Sequence, residues 1–221
     1  MTTLKTLSLV SVLSLIAPAV ALADATDDTV GIDRHVEAPS NAFEITVGTG
    51  YSQGGGEVGG GLQHLEDISG PGGAFELELG YRINPTWLVG AYGSFSAYDN
   101  ADLAEGTNVL GASAGLFGAA HLRPNRSVDP WVSLGAGWKG LWLDPDRGDS
   151  TSLQGLELAR LRIGVDYRIN KNTSISPEIG GSMGMFISQD SPMTSGYSEI
   201  DDKKVNFTGF AGMAGRFDIG L

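Results

Sequence analysis

Acidic and basic side chains recur at alternate positions inside segments that are otherwise apolar or small. Glu44, Glu76, Glu78 and Glu178 supply carboxylates, and Arg82, Arg123, Lys139, Arg160, Arg162 and Arg216 supply cations. Gathered on one enclosed face, opposite signs have two uses. They pair and fill the enclosure, because a charge taken out of water needs a partner. Alternatively they line a selective path for small solutes.

Other chemistry has thinner support. A hydrolase would need a nucleophile beside a base, and His121 shares a face with Ser113. In an extended chain, however, eight residues separate the two by about 26 Å, too far for proton transfer. His35 and His64 fall in polar stretches. The acidic run Asp144–Asp149 lacks the ligand spacing of a calcium loop, and it and Glu199–Asp202 read as solvated surface loops. The run Gly54–Gly61 has neither an adjoining helix nor a lysine, so it reads as a mobile loop and not as a phosphate cradle. There is no cysteine, which excludes disulfides, thiol chemistry and thiolate metal sites. No cofactor or metal is expected.

The charges must be positioned by strands, because the hydrophobic period is two. Eight alternating segments follow one another. The first carries Phe43, Ile45, Val47 and Tyr51 on one face. The second sets Phe75, Leu77, Leu79 and Tyr81 against Glu76, Glu78 and Arg82, and the third runs from Trp87 to Phe95. The fourth sets Leu110 to Leu122 against Gly111, Ser113 and His121, and the fifth sets Val132, Leu134, Trp138 and Trp142 against Ser133 and Lys139. The sixth sets Leu161, Ile163, Val165 and Tyr167 against Arg160, Arg162 and Asp166. The seventh sets Ile175, Ile179 and Met183 against Ser176 and Glu178, and the last sets Phe207, Met213, Phe217, Ile219 and Leu221 against Arg216 and Asp218. Short turns at 83–86, 124–127 and 169–172 alternate with longer polar loops at 53–72, 98–107, 143–154 and 188–203. A faint repeat, Tyr81-Arg82-Ile83-Asn84 and Tyr167-Arg168-Ile169-Asn170, closes two segments four apart.

Charge and the chain start limit where such a protein works. The net charge of -12 excludes nucleic acid, whose phosphates need clustered Lys and Arg. Lys5, the apolar run from Leu7 to Val20 and Ala21-Leu22-Ala23 have the form of a signal peptide cleaved after Ala23. Residues 24–41 lack any period and are expected to form a flexible leader, with residues 42–221 as the one folded domain.

Two closed barrels fit eight alternating strands: a soluble lipocalin-like calyx with its apolar face inward, and a membrane barrel with that face outward. Aromatics near segment ends (Tyr51, Tyr81, Trp87, Phe95, Trp142, Tyr167 and Phe217) suit interfacial girdles and favour the membrane. The stretch Tyr81-Arg82-Ile83-Asn84-Pro85-Thr86-Trp87, the stretch Pro130–Gly137 and the alternating last segment resemble the small outer-membrane β-barrels of the OmpA transmembrane-domain and OmpX type. That resemblance covers residues 42–221. It implies an all-β, eight-stranded antiparallel up-and-down transmembrane β-barrel in the outer membrane of a Gram-negative-type bacterium. Its implied partners are outer-membrane lipid, the barrel-assembly machinery and periplasmic chaperones, with surface ligands at the four loops. A narrow barrel has little space beyond its side chains, so the expectation is a non-enzymatic structural or surface-contact role. A narrow porin-like channel is the alternative, and an outer-membrane lipid hydrolase comes third.

Overall fold

Alternation along each strand sorts side chains by polarity, and the sorting is inverted relative to a water-soluble barrel. In β1 (Ala42–Gly56) Phe43 is 51% exposed whereas Glu44 and Thr46 are 2% exposed. In β2 (Gly72–Arg82) Phe75, Leu77 and Leu79 point out and Glu76, Glu78 and Arg82 point in. Leu116, Leu122 and Leu134 are exposed on later strands, Leu116 by 71%. So dense an apolar surface is an aggregation hazard in water and the required face in lipid. The lipocalin-like alternative, which would line its cavity with these residues, is thereby removed.

The computed structural model describes residues 33–59, 64–101, 103, 106–191 and 196–220. The expected signal peptide (1–23), the start of the leader (24–32), residues 60–61 of the glycine run and Leu221 lie outside the described residues. The remaining elements are α1 (Leu65–Ile68), β3 (Trp87–Tyr98), β4 (Thr107–His121), β5 (Val128–Pro145), β6 (Thr151–Asn170), β7 (Thr173–Asp190), β8 (Ser198–Glu199) and β9 (Val205–Gly220). From β1 to β7 each strand pairs antiparallel with the next, and β9 pairs with both β7 and β1. The barrel therefore closes with eight strands and no open edge. The two-residue β8 only extends the end of β7.

Several boundaries differ from the sequence reading. The expected loop 143–154 shrinks to 146–150, because β5 and β6 stay paired out to Leu143 and Thr151. Gly54 and Gly55, read as part of a mobile loop, continue β1 against β9. A register shift in β6 lies between Glu157 and Ala159. It flips the inward parity, so Glu157 and Arg160, three residues apart, are both buried.

The leader is not free along its whole described length. Arg34 N donates to Ser127 Oγ (2.7 Å) and Ser127 N to Arg34 O (2.8 Å). Val36 N donates to Asn125 O (3.2 Å) and Ala38 N to Pro124 O (2.8 Å). Backbone pairing of this kind leaves no side-chain period to read.

Candidate functional site

The inward face builds two tiers of charge. Nearer the short turns, Arg82 pairs with Glu44 and, through Nε, with Asp218 Oδ1 at 3.1 Å. Arg216 Nη1 donates to Glu44 Oε1 at 2.9 Å, and the same guanidinium lies 3.2 Å from Asp166 and 3.7 Å from Glu178. Arg168 lies between Asp129 (3.3 Å), Asp166 (3.7 Å) and Asp218 (3.6 Å). At mid-lumen Glu76 takes both Arg160 and Arg162, the latter at 2.7 Å. Tyr92 donates to Glu157 nearby.

Three expected members sit differently. Lys139 reaches no carboxylate directly; its Nζ donates to Asn206 Oδ1 at 2.7 Å. Glu78 is buried beside these tiers but forms no ion pair among the described residues. Arg123 leaves the lumen altogether and holds Asp33 of the leader at 2.8 Å. Asp129, Glu157 and Arg168 belong to the tiers although they were not singled out from sequence. The parity of Arg168 was readable from Asp166, whereas that of Glu157 was hidden by the bulge.

Aromatic rings complete the filling. Arg216 lies over Trp131 (4.2 Å to the ring centre), Arg160 over Tyr92 (4.2 Å), Arg162 over Phe210 (3.7 Å) and Lys139 over Phe186 (4.8 Å). A cation above an aromatic face gains from the ring quadrupole most strongly away from water. Leu88, Tyr92, Phe117 and Ala119 form an apolar wedge on the β3–β4 wall.

At the loop end the lumen is capped by apolar side chains. Val58, Leu65 and Ile68 from the first loop meet Val109, Leu141, Leu153, Phe186 and Ile200. Full burial of one such side chain is worth about 1.5–3 kcal/mol. Gly54 permits the cap, since a Cβ there would stand 2.9 Å from Leu65. Gly59, at φ +99, lets the first loop press against Asp202 of the last, where a Cβ would come within 2.6 Å of a carbonyl oxygen. Backbone bonds between Gly70 and Asp99 (2.9 Å) and between Asp99 and Pro71 (3.0 Å) tie the first loop to the second.

Between cap and charges lies a cavity of about 70 Å³, lined by Ser94, Ser96, Ser113, Ser182, Arg160 and Lys139 among others. It has room for on the order of five waters at most.

Metal and hydrolase chemistry can be tested against this geometry. Among the described residues, His121, Asp129 and Asp166 bring potential metal ligands within 4.8 Å of one another. Arg168 Nη2 already lies between both carboxylates, 3.3 Å from Asp129 Oδ2 and 3.7 Å from Asp166 Oδ2. A guanidinium thus occupies the cation position, and the site does not fit a metal. His121 Nδ1 bonds Asp129 Oδ2 at 2.9 Å, while Ser113 Oγ bonds Ser94 Oγ at 2.7 Å one cavity higher. The two residues considered for hydrolysis are not brought together.

On the outside, Tyr51, Trp87, Phe95, Tyr167 and Phe217 are exposed, and Tyr81 and Trp142 partly so. Tyr51 and Trp142 share one ladder row through Gly73, Ala97 and Leu110, toward the loop end. Tyr81 stands against Phe43 near the turn end, ring centres 5.5 Å apart.

No protein-family model matches the sequence, and no curated protein matches it. Solved structures do. Neisserial surface protein A superposes with a TM-score of 0.51 at 15% identity, covering 79% of this chain and 96% of that one. The fold is that of the small outer-membrane β-barrels. Among such barrels, the outer membrane protein AlkL in lipid bilayers gives a TM-score of 0.51 at 10% identity, covering 89% of this chain and 98% of that one. OprG from Pseudomonas aeruginosa gives 0.49 at 14% identity over 82% of this chain and 98% of that one.

Proposed function

We propose that this protein is a closed outer-membrane barrel with a structural and surface-contact role and no enzymatic activity. The observation that carries the reading is the lumen, filled by paired charges toward the turns and capped by apolar side chains toward the loops. A conducting barrel needs a continuous wet path, and the apolar cap interrupts one. The short turns face the periplasm and the longer loops the exterior, as in up-and-down outer-membrane barrels. Export follows cleavage after Ala23, insertion uses the barrel-assembly machinery with periplasmic chaperones, and Tyr51, Trp142 and their counterparts anchor the barrel in lipid. The loops, acidic at Asp146, Asp149, Asp201 and Asp202, are the surfaces open to partners.

A narrow channel is the second reading, favoured by the hydroxyl-lined cavity beside Arg160 and Lys139. Planar-bilayer recording separates the two: the closed barrel is silent.

A further inference from the structure

The leader and the barrel are joined in a way that closes the turn end. Ala38 is held at Pro124, in the turn between β4 and β5, while Ala42 begins β1. In the closed barrel β4 lies three strand positions from β1 in one direction, and β5 four in the other. Following the rim to that turn covers roughly 18 Å or more once strand spacing and tilt are included. The four residues from Ala38 to Ala42 reach at most about 14 Å. The segment therefore cuts across the mouth, and Ala38 is buried although it precedes the first strand.

The stretch that leads into this crossing, residues 33–38, is coupled to the charges above it. Asp33 Oδ2 accepts from Arg123 Nη2 at 2.8 Å, and Asp33 Oδ1 accepts from Val128 N at 3.3 Å. Asp129, the next residue, accepts from Arg123 N at 2.8 Å and holds His121 and Arg168. Arg168 N in turn donates to Ser127 O at 2.7 Å, beside the Arg34–Ser127 bonds.

We infer that residues 33–41 are a strap, anchored along the β4–β5 turn by 33–38 and crossing the turn-end mouth through 38–41, that seals the barrel there and locks the lower charge tier, so that releasing the strap admits water-borne molecules to the lumen from that side. The strap is suited to release. Its described contacts include backbone bonds to Pro124, Asn125 and Ser127 and the partly exposed Arg123–Asp33 pair, contacts at the low end of local stability, whereas the barrel wall is a continuous ladder. This inference rests on the closed-lumen reading and deepens it.

The test uses the full mature chain, which has no native cysteine to interfere. Ser174→Cys places a thiol on the inward face of β7, where Ser174 is buried and in register with Arg168 and Arg216. Its labelling by a small charged methanethiosulfonate is timed in detergent, and a heat-modifiable gel shift reports folding. The strap is weakened by Asp33→Ala, Val36→Pro and Ala38→Pro together, which remove the carboxylate and the backbone donors of Val36 and Ala38 and leave only the Arg34–Ser127 bonds. Labelling is expected to accelerate at least about tenfold with the gel shift retained. Equal, slow labelling in both proteins would overturn the strap while leaving the closed lumen standing. If the unreleased protein labels as fast as a loop cysteine, the closed-lumen reading itself fails. Should the triple variant not fold, Asp33→Asn alone decides: a smaller acceleration supports the strap and none overturns it.

Discussion

Arg82 and Arg168 reach the two oxygens of one carboxylate, Asp218, from strands four apart in the barrel. Arg82 Nε stands 3.1 Å from Oδ1 and Arg168 Nη1 stands 3.6 Å from Oδ2. Both arginines come from the Tyr-Arg-Ile-Asn repeat that closes β2 and β6. The repeat thus places two cations where they clamp the last strand from either side of the lumen.

Breaking this tier by removing one partner should be costly. Arg216→Met leaves Glu44, Asp166 and Glu178 facing one another without their shared cation. An uncompensated buried charge costs about 3–5 kcal/mol. Urea unfolding followed by the gel shift should show a loss of that size. A change below about 1 kcal/mol would mean the pairs do not hold the barrel.

Glu78 makes the contrasting case. It is buried without an ion pair among the described residues, so Glu78→Gln removes a desolvated charge and little attraction. The variant should be as stable as the parent or slightly more so, while Glu44→Gln is clearly destabilised. Equal losses in the two would contradict the arrangement.

The cap predicts a local effect. Leu65→Ser replaces a buried apolar side chain above Gly54 with a hydroxyl and creates a void. It should cost about 2–4 kcal/mol for the capped state of the first loop. Limited proteolysis should then cut within residues 57–70 faster than in the parent, with the barrel fragment intact. Unchanged cleavage would show that the loop is not held by its apolar contacts.

The last loop offers a pH effect of known sign and small consequence. Lys203 donates to Glu199 at 2.5 Å and holds that carboxyl below its usual range, and the bond from Lys204 to Asp202 holds the Lys204 ammonium above its own. A lowered carboxyl contributes at neutral pH and loses its contribution as acid protonates it. A raised ammonium contributes until alkali removes its proton. Both pairs are solvent-screened, so Lys203→Ala should leave the unfolding midpoint at neutral pH unchanged. A measurable drop there would show a loop more ordered than these exposed contacts allow.

Much of the barrel was legible because period two is written residue by residue. Phe43, Glu44, Ile45 and Thr46 already state which side faces out. The charged face was legible for the same reason, but which carboxylate takes which cation, such as Glu44 with Arg82 and Glu76 with Arg160, depends on strand stagger that the pattern does not carry. Three features escaped. Glu157 lies beyond a bulge, which resets parity without leaving a mark in composition. Leu65, Ile68 and Ile200 look like scattered loop hydrophobics until the first and last loops bring them together over the strand ends. The strap is made of backbone bonds, which carry no side-chain signature at all.

The most direct test of the central claim is single-channel recording of the refolded mature chain in a planar bilayer, with insertion verified independently. A lumen filled by the Glu44, Glu76 and Asp218 pairs and capped by Leu65 and Ile68 should give no openings at either polarity. Steady, reproducible conductance from the folded protein would contradict the closed barrel and turn Arg160, Arg162 and Lys139 into the lining of a channel.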